Sequence, residues 1–157
     1  MGATTRKGEI GEAMVLADLR QKGYGVAIPF GHDLPFDLVL IRKDTGTLER
    51  VQCKYTESDG KVVDVRCAST SAWVHHTYTA AEVDWIAVFD ATTNRCYYVH
   101  STTWSGMVRP KLRLVDAANG QRKGIRKAEQ FLYPELVDEA PEEAKVPVAK
   151  LSDSPPE

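Results

Sequence analysis

A carboxylate, an amide and an amine occur at strand-like spacing in the first half of the chain. Asp37 opens one apolar run, and Gln52 and Lys54 lie late in the next. Side chains alternate between the two faces of a strand, so Gln52 and Lys54 share a face. A turn at residues 44–46 would fold the second run back antiparallel on the first. The sequence therefore predicts that Gln52 and Lys54 return to the side of Asp37.

This set of side chains suits a divalent metal ion and a phosphate group. Hard cations prefer oxygen ligands, so the Asp37 carboxylate is the expected anchor, with the Gln52 amide oxygen and the Cys53 backbone carbonyl beside it. Lys54 can position or deprotonate an attacking water, or stabilise charge that develops on the phosphate. Glu12 flanks the apolar stripe of a predicted first helix and completes the site if that helix packs on the hairpin.

The same residues also have a purely structural interpretation. An aspartate at the start of a strand often caps a loop, and a Gln-x-Lys pattern is often a solvated face. The opposite face of the strand is apolar, with Val51, Cys53 and Tyr55, which favours a half-buried strand with its polar face turned toward a carboxylate. On these residues alone, both interpretations stay open.

Length and composition are typical of one globular domain. The chain has 157 residues, of which 43% are hydrophobic and 27% charged. No run approaches the roughly 20 apolar residues of a membrane span, and the N-terminus lacks the apolar segment of a signal peptide, so we expect a cytoplasmic protein without a membrane partner. The three cysteines form no CxxC pair, and we expect reduced, buried thiols at Cys53, Cys67 and Cys96.

Charge is distributed unevenly along the chain. Residues 134–157 contain seven acids and two lysines, are rich in proline and lack aromatic residues, which predicts a disordered acidic tail after a domain over residues 1–133. Residues 109–127 contain seven basic residues and one acid. A basic stretch of this kind is compatible with a polyanionic partner or with a solvated face. The candidate residues for contact with such a polyanion are Arg109, Lys111, Arg113, Arg122, Lys123 and Arg126, together with the hydroxyls of Ser69 and Ser71.

Hydrophobic periodicity predicts a chain that contains both helices and strands. Residues 68–81 have no clean period and are predicted to form a long functional loop that contains Trp73, His75 and His76. Trp73, Trp85 and Trp104 are expected to be core or interface anchors. The predicted elements are a helix over 5–22 capped by Thr4 or Thr5, strands over 24–30, 61–67 and 112–115, hairpins over 37–55 and 85–100, and a short helix over 124–132.

Three motifs resemble those of the PD-(D/E)XK nuclease superfamily. They are Lys7-Gly-x-x-x-Glu12 on the first helix, Pro35-Phe-Asp37 at the start of a strand, and Gln52-Cys-Lys54 on the next strand. The similarity covers roughly residues 6–133. It is closest to the branch that contains the group I intron-associated homing endonucleases, and more distant from the archaeal Holliday junction resolvases.

This resemblance implies an α/β fold with a restriction-endonuclease-like core, in which a mixed sheet of about four or five strands is flanked by helices. It also implies a metal-dependent endonuclease that hydrolyses DNA. Glu12 takes the place of the helical glutamate, Asp37 of the metal-binding aspartate and Lys54 of the motif lysine. Gln52 departs from the usual Asp or Glu, which weakens a second metal site, although the homing branch also carries Gln there. Asp33 and Glu9 are further carboxylates nearby.

The implied cofactor is Mg²⁺, with Mn²⁺ as an alternative ion, and the implied partner is double-stranded or branched DNA. Cutting both strands of a duplex requires two sites, so we expect a homodimer or a homotetramer. Two other functions remain alternatives: a nuclease similar to Holliday junction resolvases, and a DNA-binding module of the same fold that does not cut.

Overall fold

The structure is a computed structural model that describes residues 2–71 and 73–137. It begins with helix α1, Ala3–Gln21, which agrees with the predicted helix over 5–22. One stripe of this helix is buried against the sheet that follows, with Val15 and Leu19 fully buried. Packing of the apolar stripe fixes which way the polar side chains of the helix point.

Glycines lie at both ends of α1. Gly2 is the N-cap residue and makes no side-chain cap, so the expected cap by Thr4 or Thr5 is wrong. Both threonines lie inside the first turn, because the helix begins two residues earlier than predicted. At the other end, Gly23 follows the C-cap residue Lys22 with φ of 89°, a conformation that favours glycine and stops the helix.

A five-stranded mixed sheet forms the centre of the molecule and confirms the expected sheet. Its strands are β1 Gly25–Ala27, β2 Leu38–Ile41, β3 Leu48–Thr56, β7 Trp85–Asp90 and β8 Arg95–His100. The order is β1-β2-β3-β7-β8; β3 and β7 are parallel, and all other neighbours in this sheet are antiparallel. Both predicted hairpins are present, whereas the strand predicted over 24–30 is only three residues long.

The central sheet has an apolar core on each face. The first core joins α1 to the sheet and includes Val51 and Cys53. The second core lies on the opposite face and includes Ile86 and Val88, whose positions in β7 alternate with Trp85 and Ala87 of the first core. Every residue of β7 is buried. Burial on both faces explains the continuous apolar run that the sequence shows there.

A small three-stranded sheet covers the second core. It consists of β4 Val62–Asp64, β9 Lys111–Arg113 and β10 Arg126–Lys127, in the order β10-β9-β4. Helix α2, Ser101–Trp104, follows β8. The helix predicted over 124–132 is wrong in extent: that segment forms β10 and then a single 3-10 turn, Ala128–Phe131, because two of its residues pair with β9. Ala128 and Phe131 are buried, as the periodicity predicted.

The predicted loop over residues 68–81 is also wrong, because it contains a two-stranded antiparallel hairpin. Its strands are β5 Ala68–Ser71 and β6 Val74–Thr77. We call this pair the outer hairpin, and the β2–β3 pair the site hairpin. All of β6 is exposed, and β5 has the polar sequence Ala-Ser-Thr-Ser, so neither strand carries the apolar alternation by which strands are recognised in sequence.

The three tryptophans have different environments. Trp85 and Trp104 are buried at 1% exposure, as expected for core anchors. Trp73 is 98% exposed at the tip of the outer hairpin with φ of 71°, so a core position for it is wrong. The three cysteines are free and buried, as predicted.

The first residues of the predicted tail pack on the domain. Pro134 is buried, and Glu135 accepts hydrogen bonds from the Tyr24 hydroxyl at 2.6 Å and from Arg42 at 2.7 Å. Val137 packs against the second core. The rest of the predicted tail, residues 138–157, lies outside the described residues. Within 2–71 and 73–137, no helix combines the length and apolar character needed to cross a membrane.

Candidate active site

The site hairpin holds Asp37 against Gln52 and Cys53. Leu38 pairs with Val51, so Asp37 lies one step earlier, opposite Gln52. One Asp37 carboxylate oxygen, Oδ2, accepts hydrogen bonds from the Gln52 side-chain amide at 2.6 Å and from the Cys53 backbone N–H at 2.8 Å. The carboxylate is therefore fixed by two donors of the opposite strand before any ligand binds.

Helix α1 approaches the site hairpin closely enough to bring Glu12 beside it. A Cβ atom on Gly11 would lie 3.1 Å from the Lys54 carbonyl oxygen and 3.2 Å from the Tyr55 Cβ atom, which is tighter than side chains normally pack. The absence of a side chain at Gly11 thus sets the distance between helix and strand. Since Glu12 is the next residue, this contact also positions its carboxylate.

The four predicted catalytic residues line one cavity of about 450 Å³. We call it the Asp37 cavity. Glu12 enters from the helix, Asp37, Gln52 and Lys54 from the site hairpin, and Cys53 also contributes to the wall. Glu9 lines the same cavity, whereas Asp33 lies in the exposed loop before the hairpin. Tertiary packing alone brings residues 12 and 37 together.

Both carboxyl groups have raised pKa values in the absence of metal. Burial is the main cause for Asp37, and it outweighs the Cys53 N–H and the Lys54 charge, which lower the pKa. Burial is also the main cause for Glu12, followed by repulsion from Asp37 and Glu9. Two partly desolvated carboxylates that repel each other are stabilised by a cation between them.

The donor set of the cavity fits Mg²⁺ with few protein ligands. Within the described part of the chain, no three His, Cys, Asp or Glu side chains form a metal-binding group. Glu12 and Asp37 are the predicted carboxylate ligands in the cavity, and Glu9 also belongs to its lining. One or two carboxylates with several waters is the usual protein environment of Mg²⁺. Burial raises the pKa of the Cys53 thiol well above its usual range, so Cys53 would contribute its carbonyl and not a thiolate.

The Gln52 side chain turns its amide nitrogen toward Asp37, whereas binding a metal ion would require the amide oxygen. Its nitrogen donates to Asp37 at 2.6 Å and to the Cys53 carbonyl at 3.2 Å. Coordination through the amide oxygen therefore requires a half-turn of the amide group, which would break both hydrogen bonds. In the conformation described here, Gln52 orients Asp37.

Lys54 has a neighbour that lies outside the predicted set. Its Nζ atom is 3.2 Å from the Tyr78 hydroxyl and 4.8 Å from the centre of the Tyr78 ring. Tyr78 lies just beyond the outer hairpin, in a segment that the sequence pattern assigned to a loop. Nothing in the local sequence indicates this contact, since the two residues meet only after the hairpin folds.

The predicted DNA-binding residues are only partly brought together. A second cavity of about 920 Å³, here the Arg113 cavity, is lined by Arg113 and Arg122 of the predicted set, and also by Arg95 and Lys127. Asp116 and Glu129 lie in the same wall, so its charge is mixed. Arg109, Lys111, Lys123 and Arg126 are not part of that lining.

The outer hairpin places its polar residues in local contacts. Thr70 lies 3.1 Å from His75 Nδ1 and accepts a hydrogen bond from Arg66 at 2.9 Å. His76 Nε2 lies 2.9 Å from a Glu82 carboxylate oxygen. The adjacent histidines thus have different partners, as expected. Ser69 and Ser71 belong to β5 in the same hairpin.

Comparison with known proteins identifies the class of this fold and site. A sequence model of the PD-(D/E)XK endonuclease family matches residues 2–134. The chain therefore belongs to the PD-(D/E)XK endonuclease family, and the expected nuclease function is confirmed at that level.

One solved structure supports the same assignment. The chain is similar to the bacterial homing endonuclease I-Ssp6803I, with 25% sequence identity and a TM-score of 0.59 over 83% of this chain and 88% of that one. No curated protein sequence matches the chain. The family model thus confirms the resemblance to the PD-(D/E)XK nucleases, and the likeness to a solved homing endonuclease agrees with the predicted branch.

Proposed function

We propose that the chain hydrolyses DNA phosphodiester bonds in a Mg²⁺-dependent reaction at the Asp37 cavity. The observation that carries this proposal is the shared cavity itself. Glu12 of helix α1 and Asp37, Gln52 and Lys54 of the site hairpin line one space of about 450 Å³. Membership in a nuclease family and the likeness to a homing endonuclease support the same chemistry.

Each residue of the cavity has a distinct role in this proposal. Asp37 and Glu12 would hold the ion, with the Cys53 carbonyl as a neutral ligand beside Asp37. The bound ion would polarise a phosphoryl oxygen and lower the pKa of a bound water. The Lys54 ammonium stabilises negative charge that develops on the phosphate and orients the attacking water. Gln52 keeps Asp37 in place through its 2.6 Å hydrogen bond. Mn²⁺ would suit the same oxygen ligands.

The substrate in this proposal is double-stranded or branched DNA. Arg113 and Arg122 in the Arg113 cavity, and the other basic residues predicted from the sequence, would neutralise phosphates. The hydroxyls of Ser69 and Ser71 would add hydrogen bonds that position the backbone. Double-strand cleavage requires two sites, so the proposal includes a homodimer or homotetramer. Three buried, free cysteines support a reducing compartment such as the cytoplasm.

A homing-type role is favoured over the alternatives because the similar solved structure is a homing endonuclease. A junction resolvase and a non-cleaving DNA-binding module use the same fold, and they make different predictions. A homing enzyme cuts at one long sequence, a resolvase cuts at branched DNA, and a binding module does not cut.

The test is incubation of the purified chain with supercoiled plasmid in Mg²⁺, Mn²⁺ or EDTA. Nicking or linearisation with either ion, its absence in EDTA and its strong reduction in Lys54→Ala are the expected results. If neither ion produces cleavage of plasmid or of a four-way junction while DNA still binds, the non-cleaving module is the better description. Preference for the junction over the plasmid would identify a resolvase, and cleavage of a random library without sequence preference would argue against a homing role.

A further inference from the structure

Tyr78 lies against the Lys54 ammonium from outside the Asp37 cavity. The hydroxyl oxygen is 3.2 Å from Nζ, and the ring centre is 4.8 Å away. Both the hydroxyl and the electron-rich ring attract a cation. Tyr78 is 7% exposed and Lys54 is half-buried, so the contact is partly shielded from water, which strengthens such an interaction.

Tyr78 is itself held on several sides. Its backbone N–H donates to the Cys67 carbonyl at 3.0 Å, and its side chain belongs to the second core together with Val83 and Trp104. The His76 ring packs edge-on against it, with centroids 5.5 Å apart. A side chain fixed in this way can hold a flexible neighbour in one place.

We propose that Tyr78 is a positioning residue that holds the Lys54 ammonium in the orientation needed for phosphodiester cleavage. This inference rests on the proposed function of Lys54. A lysine has a long flexible stem, and the cleavage reaction is slower when the ammonium group samples rotamers that point away from the phosphate. The tyrosine oxygen occupies one of the three donor N–H groups and leaves the other two for phosphate oxygen and water.

The contact also links the outer hairpin to the active site. Tyr78 immediately follows β6, and His76 on that strand touches its ring. The position of β6 therefore sets the position of Tyr78, and through it that of Lys54. No such link is encoded by local sequence, since 24 positions separate the two contacting residues.

The decisive variant is Tyr78→Phe, which removes the hydroxyl and keeps the buried ring. Tyr97→Phe is its matched control, because Tyr97 is 1% exposed in the same core and its hydroxyl lies 3.1 Å from Thr93. We expect the single-turnover cleavage rate of Tyr78→Phe to fall about tenfold, the value of one hydrogen bond to a charged group. Its KM for plasmid should stay within about twofold, because the contact acts on the chemical step and not on DNA affinity.

A double variant separates positioning from a general structural effect. In the Lys54→Ala background, measured with excess enzyme over long incubations, Tyr78→Phe should cause no further loss, because its partner is absent. A further tenfold loss there, or a wild-type rate for the single variant Tyr78→Phe, would overturn the inference.

A second readout does not depend on cleavage. Acetylation of lysine amines by a small acylating reagent is followed by peptide mass spectrometry, with the exposed Lys61 as internal reference. Loss of the hydroxyl should raise the modification rate of Lys54 by up to about tenfold, because the same hydrogen bond to a charged group would no longer hold the amine. Tyr97→Phe should leave the rate unchanged. If the wild-type protein cuts no DNA, the proposed function fails; an unchanged Lys54 reactivity in Tyr78→Phe rejects the Tyr78 contact itself.

Discussion

The two hairpins of this molecule differ in what holds them. The site hairpin lies inside the central sheet, with Leu38, Leu40 and Val51 fully buried. The outer hairpin exposes Val74 at 66% and Trp73 at 98%. Apolar burial fixes the first hairpin, whereas local polar contacts and its connection to the domain hold the second. The difference suits a rigid catalytic centre beside a surface available to a partner.

Arg50 connects the two hairpins. It lies in β3 of the site hairpin and donates hydrogen bonds to the carbonyls of Ala80 and Ala81, which follow the outer hairpin. It also pairs with Asp84 at 2.9 Å. The outer hairpin is thus attached to the site hairpin at its base while its tip projects into solvent.

The largest expected effect concerns the site hairpin. Asp37→Asn should lower the cleavage rate about 10³-fold, because it removes the charge of the proposed metal ligand from the cavity. Asp33→Asn is the matched control, since Asp33 is an exposed carboxylate outside the cavity lining. Its cleavage rate should stay within about threefold, as expected for a surface substitution. Plasmid cleavage under single-turnover conditions measures both, and an equal loss in the two variants would contradict the assignment of Asp37.

The next effect concerns the fit between α1 and the site hairpin. Gly11→Ala should reduce the free energy of unfolding by about 1–3 kcal/mol, because its Cβ atom would meet the Lys54 carbonyl at 3.1 Å. Gly8→Ala lies one turn earlier with nothing within 4 Å, so it should stabilise the helix by up to about 1 kcal/mol. Urea denaturation measures both changes. If Gly11→Ala and Gly8→Ala changed the free energy of unfolding by the same amount, the helix would not pack on β3 as closely as described.

A pH-dependent effect tests the connection between the hairpins. Burial raises the pKa of Asp84, but hydrogen bonds and charge from Arg50 outweigh it and hold that pKa below its usual range. A carboxyl group whose pKa is lower in the folded state than in the unfolded state stabilises the fold at pH values above its unfolded pKa. This stabilisation is lost as the pH falls through the folded pKa. Asp84→Asn should therefore cost about 1 kcal/mol at neutral pH and progressively less in acid.

The control for that prediction is Asp116→Asn. Asp116 is 94% exposed, and its ion pair with Lys127 is long, at 3.7 Å. Urea denaturation of the variants and the wild type from neutral pH to below pH ~4 gives the comparison. A difference between wild type and Asp84→Asn that does not shrink in acid would show that the carboxylate charge is not the cause.

The smallest expected effect lies at the tip of the outer hairpin. Trp73→Ser should change the free energy of unfolding by less than about 0.5 kcal/mol, because the side chain is 98% exposed. If the tip contacts DNA, the same variant weakens plasmid binding without slowing single-turnover cleavage at saturating DNA. Thermal denaturation together with DNA titration measures both quantities. A large loss of stability would mean that Trp73 packs on the domain.

Most of the site hairpin was predictable because local rules specify it. Alternating apolar residues, a glycine at position 46 with φ of 72° and the spacing of Gln52 and Lys54 all depend on near neighbours in sequence. The outer hairpin was missed because β6 is exposed and β5 is mostly polar, so no apolar period marks either strand. The last predicted helix failed because pairing with β9 overrode a helical pattern.

The sequence by itself determined the residue types of the candidate site, the strand that carries Gln52 and Lys54, and the helix that carries Glu12. Only the tertiary structure decided how they meet. The contact of Gly11 with β3, the rotation of the Gln52 amide toward Asp37 and the approach of Tyr78 to Lys54 depend on groups far apart in the chain. Such contacts follow from the packing of whole helices and strands against one another, and periodicity and local spacing do not specify that packing.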